Sequence, residues 1–416
     1  MEEWKEYKFE RKLISDLGRI VTGKTPRTSI SGNYGGKIPF LTPSDDLSGK
    51  HAPTTNKTIT SLGLNEVKNC LLPSGSICVS CIGSDLGKVV MTKVPTVTNQ
   101  QFNSIIPNEE NDIDYIYYLM IKVGEHLNYL SKTSTAVPII NKSTFSSYEV
   151  TIPPLFAQRK IASILSSLDD KIENNRRINV NLEAQARALF KSWFVDFEPF
   201  KDGDFQDSEF GRIPKGWRVV SFKDVCTNIT DGVHNTVKDD TNGQYYLLSC
   251  KNIKSGFVSI GGNERKIDKQ TFDKLRKRTK LQKGDILLSS VGTIGEIVLL
   301  NEEPSNYEFQ RSVAIIKPNP DSISSHFLYY SIKNQKDIII NSAHGAVQQC
   351  LFISDVASFV TIYPPQTERQ LFTNIAIEIQ NKITNNEQES RRLAALRDAL
   401  LPRLMSGELK VNDINI

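Results

Sequence analysis

The chain lacks any apolar run of membrane length. It opens MEEWKEYKFERKL, polar and of mixed charge, with no greasy stretch behind a basic start, so neither a signal peptide nor a span is expected, and a cytoplasmic location is. Cysteine is scarce as well. Six are scattered through 416 residues, and the nearest pair, Cys78 and Cys81, has half the spacing of a zinc site with no second C-x-x-C or His pair to complete it. No G-x-S-x-G elbow, no H-E-x-x-H and no acidic cluster common to both halves occurs, so no catalytic residue and no metal ligand is expected. The pairs in TIPPL and IYPPQ lack the leading Asn or Asp and the following aromatic with which adenine methyltransferases hold a base. They suit the first turn of a helix instead. The net charge of +4 permits a nucleic-acid partner without requiring one.

Residues 18–25, GRIVTGKT, satisfy the G-x-x-x-x-G-K-[ST] pattern of a phosphate loop. That chemistry needs a buried strand before the loop and a helix N-terminus at the Lys. The flanks are FERKLISDL, too polar for such a strand, and PRTSISGNYGGKIPFL, which has no helical period. A P-loop NTPase is therefore a minor alternative, and a Gly-rich polar loop the main expectation.

The chain is written twice, with a shift of roughly 210 residues. LPSGSICVSCIGSDLGKVV at 72–90 answers to LQKGDILLSSVGTIGEIVLL at 281–300, NQQFNSIIPN at 99–108 to FQRSVAIIKPN at 309–319, and STAVPIINKSTFSSYEVTIPP at 134–154 to HGAVQQCLFISDVASFVTIYPP at 344–365. Cys78 falls on Leu287 and Cys81 on Ser290, which a shared zinc site would not tolerate. Gly23 falls close to Gly232, where the Lys and Thr are missing. A job common to both copies needs no nucleotide-binding Lys.

Each copy ends in a long heptad pattern. The first seam runs Ile161, Leu165, Leu168, Ile172, Asn175, Asn179, Leu182, Ala186, Leu189 and Trp193. The second runs Phe372, Ala376, Ile379, Ile383, Asn386, Ser390, Leu393, Arg397, Leu400 and Leu404. Both are apolar at the ends and polar in the middle. Antiparallel pairing would set Asn175 against Ser390 and Asn179 against Asn386, fixing register because a slip leaves an amide facing Leu or Ile. At ~1.5 Å per residue each helix is on the order of 60 Å long. Trp193, Phe194 and Phe197, bunched where the first helix ends, are expected to pack on a domain or partner. The fold class is α/β (α+β). A first head at 1–155, a long helix at 156–198, a linker at 199–216, a second head at 217–366 and a second long helix with its tail at 367–410 are expected, in a pseudo-two-fold dumb-bell.

Two similar heads on a rigid spacer suit double-stranded DNA, which presents sites at fixed separations. In the first copy the candidate contacts are Lys24, Thr25, Arg27, Asn33, Tyr34, Ser44, Gln100, Gln101 and Asn103. In the second they are Asp231, His234, Lys251, Asn252, Arg276, Arg278, Lys280, Gln310, Arg311 and Gln348. Asn and Gln amides can bond adenine bidentately, and Arg or Lys can bond guanine or phosphate. The run around Arg276 could equally be a solvated face, and His234 a self-satisfied loop residue.

The segments GRIPKGWRVVSFKDV, IPPLFAQRKIASILSSLDDKIENNRRINVNLEAQARALFKSWFVDFEPF and LRDALLPRLMSGELKV resemble the DNA-specificity subunit of type I restriction-modification systems. The resemblance covers nearly the whole chain. It implies two target-recognition domains reading the halves of an asymmetric, gapped DNA sequence, with helices that set the gap and dock two methyltransferase (M) subunits, and restriction/translocase (R) subunits joining for cleavage. S-adenosylmethionine, ATP and magnesium would then belong to those partners, leaving this chain non-catalytic. A coiled-coil scaffold without DNA specificity is the main alternative.

Overall fold

The computed structural model describes residues 7–52, 54–83, 85–132, 139–254, 256–345 and 349–410. The chain forms two compact units, Met1–Asn174 with Glu389–Ile416, and Asn175–Gln388. The divisions therefore fall inside the long helices, Leu155–Phe194 and Gln366–Met405, and each unit holds one head with parts of both.

The heads share a common plan. In the first, Gly18–Thr22, Phe102–Pro107, Ile77–Ser80 and Val89–Met91 lie side by side as an antiparallel sheet. In the second, Cys226–Asp231, Val313–Pro318, Ile286–Ser289 and Ile297–Leu299 do the same in the same order. A second sheet in each carries one parallel pair, Phe40–Leu41 beside Val97–Thr98 and Tyr246–Leu248 beside Tyr307–Phe309. An antiparallel pair joins the start of each head to the strand before its long helix: Glu10–Leu13 with Glu149–Ile152, and Arg218–Ser221 with Val360–Tyr363.

The strand Ile77–Ser80 is buried on both faces. Ile77 and Val79 enter the core shared with the helix Ile113–Lys132, while Cys78 enters a smaller core with Val21, Leu72 and Phe102. Cys81 belongs to the first of these cores and Cys78 to the second. Alternation along the strand separates the two sulfurs, and burial pushes the Cys78 thiol up to about 12. No group of metal-ligating side chains occurs among the described residues.

The long helices begin directly after the Pro-Pro pairs, and the Pro154 carbonyl accepts from the Ala157 and Gln158 amides. Within the second unit the helices run antiparallel. Asn386 Nδ2 donates to Asn179 Oδ1 at 2.8 Å, Asn179 Nδ2 donates to Glu387 at 3.0 Å, and Gln380 reaches Glu183 at 3.1 Å. Asn175 sends its amide to the Asn386 carbonyl at 3.4 Å. Ile161, Leu165, Asn175, Asn179, Ile383 and Asn386 are buried, and Leu168, Ile172, Leu182, Leu189, Ile379, Ser390, Leu393 and Leu400 half-buried. In the first unit the same helices are tied by Arg397 to Asp169 at 2.6 Å and Lys171 to Glu389 at 3.4 Å.

The expected linker is in large part ordered. Phe205–Ser208 and Gly211–Pro214 form a hairpin whose turn needs Gly211 at φ +85°. Gln206 ties it to the Trp217 carbonyl at 2.8 Å. Trp217 in turn packs on Phe194, Phe197 and Phe200, with centroids 4.9 to 5.9 Å away. Gly, Asp and Pro here make a tight turn, not a flexible spacer. The aromatic bunch closing the first helix packs inward: Phe194 is 1% exposed against Phe327 and Phe372, and Trp193 is half-buried beside it.

Candidate nucleic-acid interface

The GRIVTGKT stretch is an edge strand, Gly18–Thr22, followed by coil. It pairs antiparallel with Phe102–Pro107, and the next helical residues are a single 3-10 turn at Ser31–Asn33. No helix N-terminus stands at Lys24, so the arrangement that holds a nucleotide phosphate is missing. Gly23 answers to a packing need instead. A Cβ there would lie 2.1 Å from the Asn99 carbonyl oxygen. The Gly23 amide donates to the Phe102 carbonyl and the Lys24 amide to that of Thr98.

The second head repeats this frame bond for bond. The Gly232 amide donates to the Val313 carbonyl and Val233 to that of Phe309, and a Cβ on Gly232 would lie 2.1 Å from the Phe309 oxygen. The turn that receives each loop also matches: the Asn99 amide donates to Leu41 and Gln310 to Leu248, while Phe102 bonds Asn99 and Val313 bonds Gln310. These bonds superpose Asn99, Gln100 and Gln101 on Gln310, Arg311 and Ser312. They likewise superpose Lys24 and Thr25 on Val233 and His234. The backbone is common; the side chains it carries differ.

In the first head Lys24, Ser44 and Gln100 are exposed, with Thr25 and Gln101 half-buried. Thr25 donates its hydroxyl to Gln100 Oε1 at 2.7 Å. The Asn99 side chain accepts from the Gln101 amide and donates to Gln101 Oε1 at 2.9 Å, which turns the Gln101 NH2 outward. Arg27 is exposed but forked onto Glu66 at 2.9 and 3.1 Å, and the guanidinium holds the Glu66 carboxyl down to about 2. Tyr34 donates its hydroxyl to the Pro26 carbonyl.

Two first-head candidates prove to be internal. Asn33 is fully buried with its amide on the Arg27 carbonyl, and Asn103, 3% exposed, is bonded to Thr22 and to the Ile140 carbonyl. Both shape the loop from beneath, and neither reaches a ligand.

In the second head Arg311 is exposed and Gln310 half-buried, and neither side chain meets a hydrogen-bond partner among the described residues. They border a notch of about 280 Å³ whose wall includes His234, Asn235, Thr236 and Arg265. His234 rests on the Asp231 carboxylate at 2.6 Å. Lys251 is exposed but pairs with Glu264 at 2.9 Å, and Lys280, exposed in a left-handed conformation, ends the helix Lys269–Thr279.

Of three further second-head candidates, two are held within the fold and the third, Arg278, is exposed but bonded to its own domain. Asn252 is 2% exposed, bonded to the Ser249 amide and the Ser259 carbonyl. Arg276 lies over Phe272 and is engaged by buried Glu308 and the Pro304 and Tyr307 carbonyls. Arg278 donates to the Asp231 and Gly232 carbonyls. A basic run in sequence thus contains two arginines that stitch the Gly232 loop and its neighbouring strand into the domain. Gln348 lies outside the described residues. The duplicated glycine clamp is the feature that residue chemistry alone did not point to; its only sequence signal was the Gly23–Gly232 coincidence.

Comparison with known proteins gives a consistent picture. The model of the type I restriction modification DNA specificity domain matches residues 1–184 and again 214–395. The chain is 31% identical over 419 residues to the type I restriction enzyme MjaIX specificity subunit of Methanocaldococcus jannaschii, covering 98% of this chain and 94% of that one. Over 175 residues it is 37% identical to the HindI specificity subunit of Haemophilus influenzae, 40% of this chain and 38% of that one. In fold it is similar to the S subunit of a type I restriction-modification system from M. genitalium, with a TM-score of 0.54 at 16% identity over 97% and 98% of the two chains. Matched twice along its length, and over nearly all of it by one relative, the chain belongs to the type I restriction-modification DNA specificity family.

Proposed function

We propose that this chain is the specificity subunit of a type I restriction-modification complex, binding double-stranded DNA at a bipartite, gapped site. One observation carries the reading furthest: two heads hold the same glycine-clamped loop on the same backbone frame and display different polar side chains from it. A shared frame with exchanged side chains is what reading two different half-sites requires, since phosphate contacts position a protein and base contacts specify. Residues 1–155 and 217–366 act as the recognition domains. The exposed or half-buried candidates Lys24, Thr25, Ser44, Gln100 and Gln101, and Asp231, His234, Lys251, Lys280, Gln310 and Arg311, stand nearest the bases and phosphates.

The helices at 156–198 and 367–410 serve as the spacer and as the docking site for two methyltransferase subunits, with restriction/translocase subunits joining them. S-adenosylmethionine, ATP and magnesium act in those subunits, and this chain supplies address rather than chemistry.

Modified-base sequencing of a plasmid grown with this chain and its neighbouring methyltransferase tests the proposal, with cells lacking the chain as control. A new adenine mark in a two-part motif is expected, and exchanging residues 1–155 for another head should change one half of it. No mark despite a soluble complex would return weight to a coiled-coil scaffold.

A further inference from the structure

Resting on that reading, we infer that one backbone position in each head chooses the purine it reads: Arg311 selects guanine in one half-site and Gln100 selects adenine in the other. The equivalence of the two positions comes from hydrogen bonds, not from residue similarity. Asn99 and Gln310 receive the same strand, Leu41 and Leu248 respectively, and Gly23 and Gly232 clamp the same loop onto the turn. Gln100 and Arg311 are the next residues along, and both are exposed.

The surroundings separate Arg311 from its neighbours. Arg265 is held by Asp239 and the Val237 carbonyl, Arg276 by Glu308, and Arg278 by two carbonyls of the Gly232 loop. The Arg311 guanidinium has no such partner among the described residues, and it borders a notch with polar walls. A fork of donors matches the O6 and N7 acceptors of guanine.

Gln100 is prepared for a different edge. The Thr25 hydroxyl fixes one lone pair of Oε1 at 2.7 Å. That leaves the second lone pair to accept from adenine N6 and the NH2 to donate to N7, with the amide plane already oriented. Lys24 beside it is exposed and suits the adjoining phosphate.

The test is selection of bound sequences from a randomised duplex library. It uses the full-length chain, with its methyltransferase where they co-purify, and compares wild type with Arg311→Gln, Arg311→Lys and Gln100→Arg. Arg311→Gln is expected to convert one guanine to adenine in a single half-site, with discrimination changing roughly five- to 150-fold and the other half-site unchanged. Gln100→Arg should do the reverse in the other half. Arg311→Lys should keep guanine with weaker preference, because a point charge does not fork. A wild-type motif that keeps every base in all three variants, with only a uniform, salt-dependent loss of affinity, would make Arg311 and Gln100 phosphate contacts and overturn the inference while leaving the specificity role intact. Absence of any enriched motif in the wild type would overturn that role itself.

Discussion

The two heads share a topology but not the chemistry that secures them to the long helices. In the second unit the helix ends are aromatic: Phe190 and Phe194 stack edge-on with Phe327 and Phe372 at 4.9 to 5.5 Å. In the first unit Leu401, Leu404 and Met405 fill the matching end, an aliphatic contact against Ile161 and Leu165. The tyrosine pairs Tyr117–Tyr118 and Tyr329–Tyr330 have the same 5.0 Å ring spacing, yet their hydroxyls meet different partners. Tyr118 donates to Asp169, which also holds Arg397, whereas Tyr330 bonds Glu183 and Gln380. Duplication kept the shape of the joint and let its charges drift, because any fully partnered buried polar set satisfies the same backbone.

The sharpest way to break the parallel is at the helix ends. Phe194→Ala should cost about 4 kcal/mol and Met405→Ala about 2 to 3, since the larger buried ring leaves the larger cavity. Urea denaturation of the full chain measures both, and equal losses would show that the aromatic cluster adds nothing specific.

Next in size is Asp169→Ala, expected to destabilise by about 2 kcal/mol because it takes the acceptor from the buried Tyr118 hydroxyl and one of two carboxylates from Arg397, which keeps Asp398. Gln380→Ala, which removes a neutral partner of Tyr330, Glu183 and Asn301, should cost about 1 kcal/mol. A thermal melt of each variant decides whether the joint depends more heavily on its carboxylate than on its carboxamide.

A comparable effect is expected at the seam. Asn386→Leu takes the donor from Asn179 Oδ1 and should cost about 2 kcal/mol, with Asn179→Leu added in the same chain recovering most of it. Denaturation of the single and double variants gives the coupling.

The smallest effect is in pH. The tyrosine pairs place Asp114 of the first head on His326 of the second. Asp114 pairs with Lys50 at 2.7 Å, while burial, helped by Lys283, lowers His326 to about 4 from 6.5. The unfolded chain therefore binds the proton first, so stability is full above about 6.5 and falls as pH drops toward 4. His326→Asn should flatten that part of the stability-versus-pH curve.

Much of this was legible from residues alone. The repeat, the helices after each Pro-Pro pair and the polar centre of the seam follow from periodicity, which survives in any sequence that must bury one face. The GKT triplet also read correctly as a loop, although a strand, Gly18–Thr22, does run into it at the edge of a sheet; what the flanks lack is a helix at the Lys. The candidate contacts fared unevenly for a physical reason. Asn33, Asn103 and Asn252 look like base readers by type, but polar loops need internal hydrogen bonds as much as external ones, and type does not say which way an amide points.

Sequence by itself determined that two like bodies alternate with two long helices, since spacing and hydrophobic period are properties of the chain. Only the tertiary structure decided which charges remain for a ligand. Arg276 is drawn inward by Glu308 and Arg278, still exposed, is engaged by loop carbonyls distant in sequence, while Arg311, in an equally polar stretch, meets no such partner among the described residues. The partner that claims a guanidinium is set by which strands fold next to it, and no local pattern records that.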